Sequence, residues 1–238
     1  MTGGSRGIGR AVAAALTAAG ATVTVVGRER GALDEVVASG EAHSIAVADV
    51  TDPDWARTVE SGSPFDILVA NAGAADSAAF LKSDDDLFRR MLDVNLMGVV
   101  HGVRAVLPGM LERRFGRIVA VASTAGLKGY PYVSAYAAAK HAVVGLVRAL
   151  ALEVATAGVT VNAVCPGFTD TALVADSLDR IAASTGRSRG EALAQLVKHN
   201  PQKRLVAPRE VADAVLWLCG EGASSITGQA IAVAGGEV

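Results

Sequence analysis

The alternation of short apolar runs with amphipathic stretches restricts what this chain can fold into more than any other feature does. Apolar runs lie at 21–26 (ATVTVV), 44–50 (SIAVADV), 65–70 (FDILVA), 116–123 (GRIVAVAS), 159–167 (VTVNAVCPG) and 226–236 (ITGQAIAVAGG), with helical patterns between them. Runs apolar on both faces suit strands covered on both sides, as in parallel sheets, rather than half-solvated antiparallel ones. Strands separated by helices predict α/β: one doubly wound Rossmann-type three-layer sandwich with a parallel sheet, spanning 1–238 as a single domain. No second domain, linker or internal repeat interrupts it. Hydrophobic residues at 51% and charged ones at 19% supply the core, and aromatics at 4% leave Ala, Val and Gly for close helix–sheet packing. A formal charge of −2 argues against an electrostatic nucleic-acid partner. No apolar run reaches the ~18 residues of a membrane span, and no signal peptide precedes Thr2. Cys165 and Cys219 sit in apolar contexts and read as reduced, buried thiols. The expectation is a soluble, cytoplasmic protein with no metal site.

Chemistry concentrates between Ser123 and Lys140, in STAGLKGYPYVSAYAAAK. Tyr136 and Lys140 are four apart and share a helix face. A phenol in water has a pKa of about 10, and an ammonium beside it favours the phenolate and brings it towards a working value. Ser123, ending a strand, can hold a substrate oxygen beside that phenol. Y-x-x-x-K also arises on helices as a solvated pair. The strand before it, the spacing to Ser123 and the opening TGGSRGIG point to proton transfer at an alcohol or carbonyl oxygen. Gly3, Gly7 and Gly9 form G-x-x-x-G-x-G ahead of an amphipathic helix, a backbone that can approach a pyrophosphate at the helix's positive end.

This set of residues resembles the short-chain dehydrogenase/reductase family over nearly the whole chain, in particular its 3-oxoacyl-thioester reductase and 3-hydroxyacyl-CoA dehydrogenase branch. The resemblance implies hydride transfer between a dinucleotide and a secondary alcohol/ketone pair. It makes Ser123, Tyr136, Lys140 and Asn95 catalytic. Asn95, in DVNLMGVVHG, would bend its helix and hold a water bonded to Lys140. The implied cofactor residues are Gly3, Ser5, Arg6, Gly7, Ile8 and Gly9 of the loop, Asp49 and Val50 at the adenine, and Asn71, Ala72 and Gly73 (NAG) after the strand 65–70. Tyr136, Lys140, Pro166, Gly167, Thr169 and Thr171 complete the set. Asp49 can equally cap a helix that follows it. In the family a mid-sheet strand precedes the glycine loop, but only Met1 and Thr2 precede Gly3 here. An open trench with unpaired backbone is therefore expected, and we expect the working protein to carry residues upstream.

An acidic residue after the strand 21–26 would bind a ribose hydroxyl and select NAD; Gly27 stands there instead. Arg28 and Arg6 would match a 2′-phosphate, so NADP(H) is the expected cofactor, with NAD(H) possible. D-3-hydroxybutyrate dehydrogenases of the family hold a substrate carboxylate with a His and a Lys. The matching places here are Ala125 and Val133, which favours an uncharged or thioester-linked ketone. His141 lies on another helix face and reads as structural. A helix is expected from Ser83 to about residue 114, opened by S-x-x-D and kinked at Pro108. Small residues on the helix 134–157 (Ala137, Ala138, Ala139, Ala142, Gly145) allow a close neighbour, and relatives suggest a homodimer or homotetramer. Residues 172–207 read as a lid of two helices, 173–184 and 188–199, the second opened by a Ser188/Glu191 capping box. Arg180, Arg187, Arg189, Lys198, Lys203 and Arg204 give the lid positive charge that could attract coenzyme A or an acidic carrier.

Overall fold

The computed structural model describes residues 1–55, 64–186 and 188–238. Helix α1 (Gly7–Ala18) leads to β1 (Thr24–Gly27), α2 (Arg30–Ala38), β2 (Ser44–Val47) and β3 (Ile67–Ala70). Then come α3 (Asp85–Leu92), α4 (Gly98–Arg113), β4 (Gly116–Val121), α5 (Ser134–Val154) and β5 (Val159–Pro166). Helices α6 (Ala172–Thr185), α7 (Arg189–Leu196) and α8 (Pro208–Cys219) precede the last strand, β6 (Ala230–Val233). Every strand pair among the described residues is parallel: β1 with β2, β3 with β4, β4 with β5, and β5 with β6.

Every residue of β4 and β5 is buried, so these strands lie at the centre of the molecule. Side chains alternate across a strand, and β4 divides accordingly: Val119 and Val121 face one cluster, Ile118 and Ala120 the other. The first cluster holds Val12 and Leu16 of α1, Leu33 of α2, and Val211, Val215 and Leu218 of α8. The second holds Val99, Val103 and Met110 of α4 with Val143, Val147 and Leu150 of α5. Each fully buried aliphatic side chain contributes about 1.5–3 kcal/mol, so both faces of the sheet are held by comparable apolar layers. The three-layer sandwich is the expected one.

Four sequence expectations need correction or refinement here. The trench between β1 and β3 is bridged at the level of Thr2, which pairs in parallel with both Val26 and Ala70. Thr2 N–H donates to Val69 O at 3.0 Å, Gly3 N–H to Val26 O at 2.8 Å, and Val26 N–H to Met1 O at 2.8 Å. Three residues thus join β1–β2 to β3–β6 and lead straight into the glycine loop. The helix expected from Ser83 instead starts at Asp85, capped by Asp84, whose carboxylate accepts from Leu87 N–H at 2.8 Å. Ser83 Oγ bonds back to Ala79 O, and a carboxylate is at least as good a cap as a hydroxyl.

Between α3 and α4 the winding loosens to a π turn, Asp93–Met97, and α4 continues past Pro108 to Arg113. The combined run Asp85–Arg113 is long and apolar enough in mean hydropathy to cross a membrane, although 44% of that window is buried inside the protein. Length and composition alone give it that property; Asp93, Asn95 and Arg104 interrupt the apolar stretch, and a core helix of a folded protein has the same average. Finally, the two helices expected within 172–207 occur as α6 and α7, with the expected Ser188/Glu191 box: Ser188 N–H donates to Glu191 Oε2 at 2.8 Å and Glu191 N–H to Ser188 Oγ at 3.3 Å.

Candidate active site

Ser123 lies just beyond β4 and caps the short turn Thr124–Gly126, its Oγ accepting from Ala125 N–H at 3.0 Å. That leaves the hydroxyl proton for donation, and the Ser123 hydroxyl bonds the Tyr136 phenol. Helix α5 begins two residues before Tyr136 and brings Lys140 under it, Nζ standing 5.8 Å from the ring centroid. Lys140 is 5% exposed and donates to Val121 O at 2.9 Å. An ammonium carries three protons, so two remain. The three residues singled out in the sequence therefore converge at the carboxyl end of β4.

The electrostatics differ from expectation. Burial pulls Lys140 down to about 8. Burial also raises Tyr136, with the bond from Ser123 acting in the opposite direction. The ammonium is held against the Val121 carbonyl rather than at the phenol oxygen, so it does not depress Tyr136 in this arrangement. The phenol is set to hold its proton, which suits a donor.

Asn95 is fully buried in the π turn. Its Nδ2 donates to Ala74 O at 2.9 Å and Met91 O at 3.0 Å, and its Oδ1 accepts from Ala74 N–H at 3.3 Å. A π turn widens the helix and shifts side chains out of α register, which is how this amide reaches the strand-end loop. Gly73 separates it from Lys140: a Cβ there would lie 2.8 Å from Asn95 Oδ1 and 3.6 Å from Lys140 Nζ. The glycine of NAG is thus required by close approach, not by turn geometry.

The remaining loops gather on the same side. Asn71 Nδ2 donates to Gly3 O at 3.1 Å, tying NAG to the glycine loop. A Cβ at Gly9 would overlap the Gly3 carbonyl oxygen, so only glycine lets α1 seat on its own loop. Ser5, Arg6, Gly7 and Ile8 form the entry to α1, and its N-cap residue Arg6 makes no side-chain cap. The orphan N–H groups of that end are left for an anion. Pro166 ends β5, and after Gly167 the chain pairs with the lid through Thr169 and Val206. Thr169 Oγ1 donates to Gly167 O at 3.0 Å, and Thr171 Oγ1 to Thr169 O at 3.3 Å. A Cβ on Gly7 would stand 3.1 Å from the Thr171 methyl, so the turn after β5 and the glycine loop face each other. An uncapped helix end, a glycine cradle and a buried ammonium with protons to spare fit a dinucleotide.

Beyond the end of β1, Arg28 Nη1 pairs with Asp49 Oδ2 at 3.7 Å, and Arg28 is largely exposed. Asp49 Oδ1 accepts from Thr51 N–H at 3.0 Å and Thr51 Oγ1 at 2.8 Å; the backbone bond from Thr51 is the main cause of its lowered pKa. Asp49 therefore caps a turn at Thr51 rather than the first turn of a helix, and residues 56–63, into which the expected helix would run, lie outside the described residues. Val50 is buried, and its carbonyl faces His101 Nδ1 at 3.0 Å. The lid charge is less free than the sequence suggested. Arg189 pairs with Asp179, Arg204 with Glu210, and Arg180 reaches Asp76 at 4.0 Å. Lys203 donates to Lys198 O, and Arg187 lies outside the described residues. His141 is exposed with Nδ1 2.9 Å from Ala137 O, away from the phenol.

Sequence reasoning passed over Tyr130, Lys128 and Glu237, which meet beside Ser123. Tyr130 Oη is 2.7 Å from both Thr124 Oγ1 and Glu237 Oε1. No local pattern marks a pair 107 residues apart, and only the closing of the sheet brings them together.

Residues 1–182 match the family model described as short chain dehydrogenase. The chain is 37% identical over 243 residues to a 3-oxoacyl-(acyl-carrier-protein) reductase of Vibrio harveyi, covering 99% of this chain and 95% of that one. It is 35% identical over 254 residues to a D-beta-hydroxybutyrate dehydrogenase of Rhizobium meliloti, covering 99% and 96%. Among solved structures, a variant of actinorhodin polyketide ketoreductase with NADPH superposes with a TM-score of 0.93 at 37% identity, covering 99% of this chain and 95% of that one.

Proposed function

The chain belongs to the short-chain dehydrogenase family, and from that premise we propose that it is an NADP(H)-dependent reductase of a ketone, with a 3-oxoacyl thioester as its preferred substrate class. The observation that carries this reading is the contact of Ser123 with Tyr136 directly above a buried Lys140. The bound dinucleotide supplies a hydride to the carbonyl carbon. Ser123 donates to the carbonyl oxygen and holds it beside the phenol. Tyr136 gives that oxygen its proton as the alcohol forms. Lys140, with two protons free, would hold ribose hydroxyls of the cofactor, and an ammonium so placed would favour the phenolate left behind. Asn95, with one lone pair of Oδ1 unused beside Gly73, joins Lys140 to a water and so to solvent. Gly3 to Gly9, Asn71 to Gly73, and Pro166 to Thr171 would line the cofactor.

NADP(H) over NAD(H) is supported by Gly27 in the acidic selector's place, by Arg6 and Arg28, and by the NADPH of the similar ketoreductase. Arg28 must then exchange Asp49 for a 2′-phosphate, an easy exchange for a solvated pair 3.7 Å apart. A polyketide ketone is the second substrate reading, supported by that same ketoreductase. The exposed strip of α5 at Ala138, Gly145 and Leu152 offers a face to a second copy of the chain. The test is NADPH oxidation with acetoacetyl-CoA by wild type and Tyr136→Phe, alongside fluorescence titration of NADPH and NADH. We expect wild type to turn over and Tyr136→Phe to bind NADPH normally but lose turnover roughly 10²–10⁴-fold, the usual contribution of a positioned proton donor. A Tyr136→Phe protein as active as wild type overturns the assignment.

A further inference from the structure

Glu237 is a carboxylate that the chemistry above does not use. Its side chain is 2% exposed, and a buried carboxylate survives only when charge and hydrogen bonds compensate it. Two groups of one loop do so. Lys128 Nζ lies 3.1 Å from Oε1 and also donates to the Glu237 backbone oxygen at 3.2 Å. The Tyr130 hydroxyl is 2.7 Å from the same Oε1 and 2.7 Å from Thr124 Oγ1. A phenol has one proton and a carboxylate has none to give, so Tyr130 donates to Glu237 and Thr124 donates to Tyr130. Thr124 is the residue after Ser123.

The Tyr130 ring meets Phe168 edge-on at 6.2 Å, just beyond the turn after β5. A Cβ at Gly167 would lie 3.5 Å from Glu237 Oε2. The loops after β4, β5 and β6 therefore converge on one carboxylate at the substrate side of Ser123. Tyr130 also lies within electrostatic reach of Tyr136. Within residues 124–133 Lys128 is the sole charged side chain. It is 34% exposed, so its charge reaches solvent rather than lying sealed in the core. Left alone, it would offer a carboxylate-bearing substrate an anchor on the loop that carries Ser123.

We propose that Glu237 is a specificity-determining residue: by neutralising Lys128 it keeps the substrate side free of positive charge, so that the site takes uncharged ketones and rejects short oxo acids. This rests on the reductase reading and narrows its substrate class.

Glu237→Gln keeps the size and the acceptor for Tyr130 but strips Lys128 of its counter-charge; Lys128→Met/Glu237→Gln removes both charges. NADPH-dependent reduction of acetoacetate is compared with that of its uncharged ethyl ester in each protein. We expect the acetoacetate-to-ester ratio of kcat/KM to rise at least tenfold in Glu237→Gln, through the KM of acetoacetate, and to fall back in the double variant. An unchanged ratio, or equal losses on both substrates, overturns the proposal and leaves Glu237 a structural tie. If Glu237→Gln does not fold, Lys128→Met alone is read: it should raise the acetoacetate KM and not the ester KM, and equal values refute the charge argument. Ligand-detected NMR of acetoacetate with NADP⁺ present reads binding without turnover. If wild type reduces neither substrate, the reductase reading fails by itself. Glu237→Gln binding acetoacetate no tighter than wild type then sinks the present inference, and tighter binding sustains it.

Discussion

Replacing Lys140 with Met should make the stability of the cofactor-free protein respond differently to pH. The lysine is 5% exposed, and burial lowers its pKa from the usual 10.5 to about 8. At about 1.4 kcal/mol per pKa unit, its charged form costs the folded state roughly 3 kcal/mol. Below pH 8 both folded and unfolded chains carry the proton, so the cost is fully present and does not vary. Between 8 and 10.5 the unfolded chain binds a proton that the folded chain has released, so stability rises with pH. Above 10.5 both are neutral and the cost is gone. Urea unfolding at pH 7.5 and 9.5 samples most of this window. Wild type should gain about 2 kcal/mol relative to Lys140→Met on going from the lower to the higher pH. Taking the difference between the two proteins cancels the groups there that do not feel Lys140; Cys165 does feel it, but burial pushes that thiol up to about 11, so it stays protonated in the folded protein at both pH values. The same slope in both proteins would falsify the claim that Lys140 is buried as a strained cation. NADPH should also reduce the difference, because oxygen partners for the ammonium relieve the cost.

Three further outcomes rest on the geometry of the site. Gly73→Ala should weaken NADPH binding and lower turnover together, since the new methyl meets Asn95 Oδ1 at 2.8 Å and crowds Lys140; fluorescence titration and initial rates read both. Asn95→Ala removes three bonds holding Ala74 and the π turn. It should cost about 1–3 kcal/mol for the buried groups left unpaired, seen by denaturant unfolding, and a loss below about 0.5 kcal/mol would show the amide to be dispensable. Arg28→Ala should raise the Kd for NADPH roughly tenfold, as expected for loss of one exposed charge-assisted contact of about 1.5 kcal/mol, while NADH binding stays unchanged. An equal effect on both cofactors would remove Arg28 from the phosphate site.

Much of the site is legible in the amino-acid order. Ser123, Tyr136 and Lys140 sit at a strand end and on one helix face, positions that local periodicity specifies. The glycines of the opening loop and of NAG are likewise marked by their place at the start of a helix or the end of a strand. Local rules also located α8 and the Ser188/Glu191 cap. They failed where two good choices were adjacent, as with Ser83 and Asp84. The strand order and the joining of its two halves through Thr2 depend on pairing across more than sixty residues, which no window can contain. The direction of the Tyr136 shift could not be read either: spacing puts an ammonium nearby, but burial and the Val121 carbonyl decide where it points. The same holds for Arg28, which finds Asp49, and for Glu237, which finds Lys128 and Tyr130. Amino-acid order by itself determined the α/β class, the placing of Ser123 at a strand end and of Tyr136 and Lys140 on one helix face, and the backbone positions where only glycine fits, because these arise from periodicity and sterics within a few residues. Protonation and the pairing of Glu237 with Lys128 and Tyr130 were decided only by tertiary structure, because they depend on which distant charges share a buried space and on how far water is excluded from it.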